Sequence, residues 1–505
     1  MLRRRPLLAL PALALSARAE PVLRLSLLHI NDFHSRHLPI GADHGECRPG
    51  AVCFGGSARL AAAIAEARAA AAAAGRTALL LDAGDQFTGS LFFTRYQGLA
   101  EAEVQNAIGV AAMALGNHEF DRGPAVLAAY AQAVRFPLLA ANLDATAEPA
   151  LQGVIRPAVS LHLAGHRICL IGLVTPETAV ISSPGPALRF TDPAEAAERA
   201  IHQARREGPC TVILLAHLGL AAERRLVESL PGVDVLVGGH SHTLLGNGVA
   251  GAAGPYPVLA RGVPIVQAGA FGRWLGRLDL DLGADGRVLA HGGNTRPITA
   301  DLPEDPAVAA LVARLGAPLA ALRAEPVAHL PAPLSQEGCG SGPCALGSVL
   351  AAAMRAAVAD AEIGFTNGGG IRAGLPAGTV TLGDVLTSLP FQNSVARMLV
   401  RGATLREALE HGVARLPAAS GRYPQTAGLR FALDPQAPPG RRIGPIEVER
   451  GGAWQPLDPD AVYVVATNNF LRQGGDGYAM FRDAALEAYD AGLPLEEALI
   501  AWLRR

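Results

Sequence analysis

The feature that most constrains this chain is a series of apolar, strand-length runs that each stop at a short polar motif. Leu23–Ile30 runs into Asp32-Phe33-His34, residues 78–81 into Gly84-Asp85, and residues 111–115 into Gly116-Asn117-His118-Glu119. Residues 212–215 end at Ala216-His217, and 233–237 at Gly238-Gly239-His240-Ser241-His242. Helix-patterned segments (58–74, Leu99–Ile108, 124–134 and Pro193–Arg206) lie between the runs. This alternation predicts an α/β fold with layered sheet and helices on both faces. In open α/β sheets ligands bind beyond the carboxyl ends of the strands, so the motifs should converge on one crevice. The runs at 264–270 and Trp274–Leu282 are more β-like and predict a second sheet.

The residue types at those strand ends have a common chemistry. A carboxylate can give one oxygen to each of two cations, and imidazole and amide groups can complete both shells. Neutral imidazole suits zinc, manganese, iron or cobalt better than calcium. One Asp-x-His alone would mean little. Five motifs in order, each closing a strand, leave little room for core histidines and turn aspartates.

Length and composition set the frame. A chain of 505 residues exceeds one ordinary core, and 50% hydrophobic with 17% charged residues is globular composition. The N-terminus has a basic Arg3-Arg4-Arg5, an apolar stretch 7–15 and an A-x-A-like site at 17–19, so residues 1–19 are expected to be a cleaved signal peptide. Without that leader, 39 basic face 45 acidic residues, a net −6, and no basic stripe points to a nucleic-acid polymer. All 43 basic residues are arginine, which GC-rich coding explains simply. No later segment reads as a membrane span, and no hydrophobic tail of a lipid-anchor signal is visible. The expected location is periplasmic or secreted. Cys47 and Cys53, six apart, and Cys339 and Cys344, five apart, can close small disulfide loops there. Cys169 and Cys210 lie in apolar runs and read as buried thiols, with a link between neighbouring strands left open.

The strings HINDFHSR (29–36), GDQ (84–86), GNHEFD (116–121), AH (216–217) and GGHSH (238–242) resemble the metallophosphoesterase motifs of the 5′-nucleotidase family. NGGGIR (367–372) and NFLRQGGDG (469–477) resemble the same family's C-terminal half. The resemblance runs from about Leu23 to about Phe481 and implies two domains. Residues 20–300 would form a layered α/β/β/α dimetal domain and 328–505 an α+β substrate-binding domain. A linker helix and hinge, 301–327, would join them, starting at the helix-start signal DLPEDP (301–306).

The resemblance also implies roles. Asp32, His34, Asp85 and His242 would hold one metal; Asp85, Asn117, His217 and His240 would hold the other. Bacterial members often carry Gln or Asn where this chain has His242. His118, held by Asp121, would donate to phosphoryl oxygens, where charge grows in the transition state; read alone, Asp121 could equally cap a helix. Arg36 could orient ligands or phosphate, or make a salt bridge. Asn367, Arg372 and Asp476 would contact substrate, and Tyr423 and Phe470 would stack a nucleobase. Paired cysteines like Cys47/Cys53 and Cys339/Cys344 occur in the animal enzymes, which supports both bridges. Gly340 stands where those enzymes carry a substrate-contacting arginine.

The implied activity is hydrolysis of nucleoside 5′-monophosphates, by attack of a metal-bound hydroxide on phosphorus, with two divalent ions (zinc, manganese or cobalt). Alternatives are a UDP-sugar or dinucleotide pyrophosphohydrolase, a 2′,3′-cyclic-nucleotide phosphodiesterase, the related sulfur-oxidation thiosulfohydrolase, and a nucleotide-binding protein without turnover. His118, Asp121 and the aromatics favour nucleotide chemistry. The sequence leaves the oligomeric state open.

Overall fold

The computed structural model describes residues 23–505 except 42–46, 48–49, 51, 392 and 490–491. The expected signal peptide, 1–19, lies outside the described residues. Strand β1 (Leu23–Ile30) pairs in parallel with β2 (Thr77–Asp82), and β2 with β3 (Ala112–Ala114). Leu138–Leu139 and Ile155–Arg156 continue the parallel row. On its other side β1 pairs antiparallel with Trp274–Leu282, followed by Val288–Pro297, which completes seven strands. In the second, six-stranded sheet, β4 (Thr211–His217) lies between His166–Val174 and β5 (Val235–Val237), all parallel.

Side chains alternate across a strand, and here both faces are covered. Leu25 and Leu27 of β1 share a core with Ile213 and Leu215 of β4, so the two sheets pack face to face. Leu28 and Ile30 point the other way into a core with residues of the helices Ser57–Ala73 and α1 (Leu99–Ile108). Val212 and Leu214 likewise pack against residues of Pro193–Arg206 and α2 (Leu220–Ser229). The layers are therefore α/β/β/α. Burial on both faces is why these strands read as unbroken apolar runs.

Two expectations change. The second sheet is built from residues before 267, whereas Trp274–Leu282 joins the first sheet in the register Leu23↔Leu282. Its alternation (Leu278, Leu280 and Leu282 buried, Arg277, Asp279 and Asp281 half-buried) suits an antiparallel strand with one wetter face. The linker is not one helix. Asp305 accepts hydrogen bonds from the Ala307 and Val308 amides to start Pro306–Gly316, and the chain breaks at Ala317-Pro318 before Leu319–Arg323. Proline has no N–H and its ring obstructs a continuing helix. By length and composition Pro306–Arg323 could cross a membrane, but here Val308, Val312 and Leu315 are buried in the first domain's core.

Beyond the linker, Pro326–Leu330 pairs with Gly378–Thr381. A mixed five-stranded sheet follows, in the order Pro424–Ala427, Ile363–Asn367, Val462–Asn468, Val395–Arg401, Glu487–Tyr489. Ala345–Ala357 and α3 (Leu495–Leu503) contribute to one of its cores, and Gly402–Val413 to the other. Cys47–Cys53 and Cys339–Cys344 are disulfides, while Cys169 and Cys210 are buried free thiols.

Candidate metal centre

The polar motifs all lie at one end of the two sheets. Asp32 and His34 follow β1, Asp85 follows β2, and Asn117 and His118 follow β3. His217 is the last residue of β4, and His240 and His242 follow β5. Asp32, His34, Asp85, His240 and His242 all have left-handed backbones, with φ between 51° and 74°. Such a conformation costs a non-glycine residue on the order of 1–3 kcal/mol and persists where surrounding structure imposes it. Here the first two loops run side by side: the amides of Asp32, His34 and Ser35 donate to Gly84, Asp85 and Gln86 carbonyls. Gly116 permits closer contact still, since a Cβ there would lie 2.2 Å from Asp85 Oδ1.

The donor atoms form three overlapping groups: Asp32 with His34 and His242, His34 with Asp85 and His118, and Asp85 with His217 and His240. Within each group they lie within 4.8 Å of one another. Asp85 Oδ2 is 3.0 Å from His217 Nε2 and 3.9 Å from His34 Nε2, which places this carboxylate between the two sides. His242 Nε2 is 3.3 Å from Asp32 Oδ1 and 3.1 Å from His34 Nε2.

Several donors are prepared for a cation. His217 Nδ1 is 2.7 Å from the Ala83 carbonyl and His34 Nδ1 is 3.2 Å from that of Phe87. Those carbonyls accept the Nδ1 proton, so each Nε2 presents its lone pair to the centre. Among the described residues buried Asn117 Oδ1 has no hydrogen-bond partner, an arrangement that a metal ion satisfies. Burial, helped by the His118 charge, pushes His34 down to about 3, and burial with the His217 charge pushes His240 down to about 4. Both rings are thus neutral, the form in which imidazole binds a metal. Burial alone would also lower His217, but Asp85 and Asp32 outweigh it and push that group up to about 10. The carboxylates therefore call for positive charge at this point, and the residues present fit two divalent cations.

His118 sits beside this centre in the turn His118–Phe120, with Nδ1 2.6 Å from Asp121 Oδ2. Asp121 also accepts hydrogen bonds from Thr88 Oγ1 and Ser182 Oγ, both at 2.7 Å. It is not the N-cap of the next helix, Pro124–Ala133, which starts after Gly123. Burial would lower His118, yet Asp121 and Asp85 outweigh it and push it up to about 10. A protonated imidazole so held is a fixed donor toward an anion. Arg36 is buried, with its guanidinium over the Phe271 ring at 5.0 Å. The Glu496 charge at the start of α3 also acts on it.

In the second domain, Asn367 ends the strand Ile363–Asn367 and donates to Asp476 Oδ2 at 2.8 Å. Asp476 is itself left-handed at φ 52°. Arg372 lies 5.9 Å over the Phe391 ring, and Phe470, 43% exposed, sets its ring against Gly475. Tyr423 is only 2% exposed and packs in the core with Phe365 and Tyr478. In this arrangement Phe470 offers a free ring face and Tyr423 does not. Gly340 lies near Ala419 and Ser420. An ion pair between Arg122 and Glu497 joins the two domains close to the His118 turn.

Residues 25–244 match the family model described as calcineurin-like phosphoesterase, and 325–483 match the 5′-nucleotidase C-terminal domain. The snake venom 5′-nucleotidase of Naja atra is 34% identical, covering 91% of this chain and 92% of its own. The 5′-nucleotidase precursor of Thermus thermophilus is 36% identical with a TM-score of 0.64, covering 95% and 96%. The NAD nucleotidase of Haemophilus influenzae is 25% identical with a TM-score of 0.79 over the same shares. The chain belongs to the 5′-nucleotidase family. It is a metallophosphoesterase-type hydrolase of two α/β domains, with His/Asp clusters consistent with a dimetal site.

Several parts of this 5′-nucleotidase-family site escaped the sequence reading. Asn31 donates to Asp32 Oδ2 at 2.6 Å and accepts from the Ala268 amide, steadying the first carboxylate. Gln267 holds the His240 loop through Gly239 O, Ser241 Oγ and the Thr243 amide. Asn31 was within sight, inside the quoted HINDFHSR string. Thr88, Ser182 and Gln267 carry no local signal. The two disulfides, with a venom relative, point to an extracellular protein.

Proposed function

We propose that this chain is an exported dimetal phosphohydrolase that cleaves nucleoside 5′-monophosphates to nucleoside and phosphate. Residues 20–300 carry the reaction, 328–505 bind the nucleoside, and 301–327 connect them. The observation that carries this reading is the convergence of strand-end donors on Asp85 beside the His118–Asp121 pair. Asp32, His34, Asp85 and His242 hold one cation; Asp85, Asn117, His217 and His240 hold the other, with zinc, manganese or cobalt the best matches. When bound, two such cations supply an activated water at neutral pH and neutralise charge on the phosphoryl oxygens.

The chain's own groups do the rest. His118 donates a hydrogen bond to the phosphoryl oxygens, and Asp121 orients the imidazole. Asn367, Arg372 and Asp476 take the polar groups of the nucleotide, and Phe470 stacks on the base, with Tyr423 supporting that pocket from the core. A base–aromatic stack contributes about 1–3 kcal/mol. Phe470→Ala should therefore raise KM for AMP roughly 5- to 150-fold, that energy range in affinity. Hydrolysis of p-nitrophenyl phosphate, which has no nucleobase, should change little. An equal loss on both substrates would place Phe470 outside the base site.

A second reading is cleavage of a dinucleotide pyrophosphate. The TM-score of 0.79 to the Haemophilus influenzae NAD nucleotidase and Gly340 at the bridged loop support it. One panel separates the two: AMP, UDP-glucose, NAD, ATP and 2′,3′-cyclic AMP, each with added manganese or zinc. Phosphate released fastest from AMP is expected. Nucleotide products from NAD or UDP-glucose with AMP inert would favour the second reading, and no turnover of any would leave a binding protein.

A further inference from the structure

Glu119 is fully buried one residue past His118, and its carboxylate folds back beneath two of the ligand loops. Oε2 accepts the backbone amides of Gly116 at 2.7 Å and Asp85 at 3.0 Å. Oε1 accepts those of Gln86 at 2.8 Å and Phe87 at 3.3 Å. Both loops begin where β2 and β3 have ended, so no neighbouring strand supplies acceptors for these donors. Buried amides need partners, and an ionised carboxylate has about four acceptor sites. Only a carboxylate offers that many, and here it needs the length of a glutamate to reach them.

The contact is also reciprocal. The Asp85 amide donates to Glu119, while Asp85 Oδ1 accepts the His118 amide at 2.9 Å. One oxygen shared by Gly116 and Asp85 ties the backbones of the two loops together. Asn117 and His118 follow immediately on the same turn. Among the described residues Glu119 forms no ion pair with a basic side chain; its partners are the loop amides.

We propose that Glu119 is the positioning residue of the dinuclear centre: its carboxylate sets the distance of Asp85 from Asn117 and His118. This rests on the dimetal reading above. Glu119 touches neither cation nor substrate, and acts through the backbone of the residues that do. Loss of an outer hydrogen-bond partner of this kind typically lowers metal affinity or activity about 10–100-fold.

The test compares wild type, Glu119→Gln and Glu119→Asp as full chains. Metal stoichiometry and affinity are read by competition with a chromophoric chelator for manganese or zinc, alongside metal-free Tm, kcat and KM for AMP. The amide of Glu119→Gln turns an N–H₂ toward two of the four donors. We expect its metal affinity to fall about 10–100-fold, kcat at saturating metal to stay below wild type, and KM to hold within about twofold. Glu119→Asp keeps the charge but is one methylene shorter, and should fall between. A metal-free Tm decrease with wild-type metal affinity and kcat would reduce Glu119 to a folding role and overturn the proposal. Should Glu119→Gln fail to fold, Glu119→Asp decides by the same criteria. Fewer than two metals per chain in wild type would instead overturn the dimetal reading itself.

Discussion

Replacing Asp85 with asparagine should cause the largest single loss in this protein. Asp85 is the carboxylate that lies between both donor groups, 3.0 Å from His217 and 3.9 Å from His34. An asparagine oxygen can serve one cation, but the amide nitrogen turns two protons toward the other. The negative charge that opposes the cations also disappears. Metal content should drop from two per chain to one or fewer, and phosphate release by roughly 10³-fold or more. That scale corresponds to the several kcal/mol a bound cation supplies, with about 1.4 kcal/mol per tenfold. Metal analysis of the purified variant is the check. Two tightly bound metals in Asp85→Asn would remove the residue from the bridging role.

The next largest effect should come from His118, and it should look different. His118 lies 4.0 Å from Asp85 Oδ2 but is held by Asp121 at 2.6 Å, so its imidazole is tied down by a residue outside the donor set. His118→Ala should keep both metals and lose turnover by roughly 10²–10³-fold, the effect of removing one preorganised transition-state donor. Asp121→Ala should lose less, because Asp121 only orients the imidazole, which itself survives. Metal content and kcat measured together separate the roles. A metal stripped by His118→Ala would make His118 a ligand.

How legible the protein was in its sequence differs by part. The strand-end motifs could be read because each ligand candidate stands two to five residues past an apolar run, so local order already implied convergence. The helix starts at Asp192-Pro193 and Asp305-Pro306 were visible for the same reason: capping is a contact between near neighbours. Pro318, equally local, was passed over, and the linker read as one helix. Sheet membership was less accessible. Trp274–Leu282 reads as a strand anywhere, but pairing with β1 is a contact between residues about 250 positions apart, set by packing rather than by pattern.

The residues behind the ligands were the hardest to see. Ser182 reaches Asp121 across 61 positions and Gln267 reaches Glu223 across 44, and neither stands in a motif. Nothing in the residues before Tyr423 announces its burial, yet it lies 2% exposed in the second domain's core. The sequence by itself determined the two-domain α/β class, the strand ends and the chemical inventory, because periodicity and residue type act over short range. Only the tertiary structure decided how the donor atoms gather around Asp85, that Glu119 clasps two loops, and that Phe470 rather than Tyr423 offers a free face. Those depend on distances between chain segments, which close packing sets and no local pattern encodes.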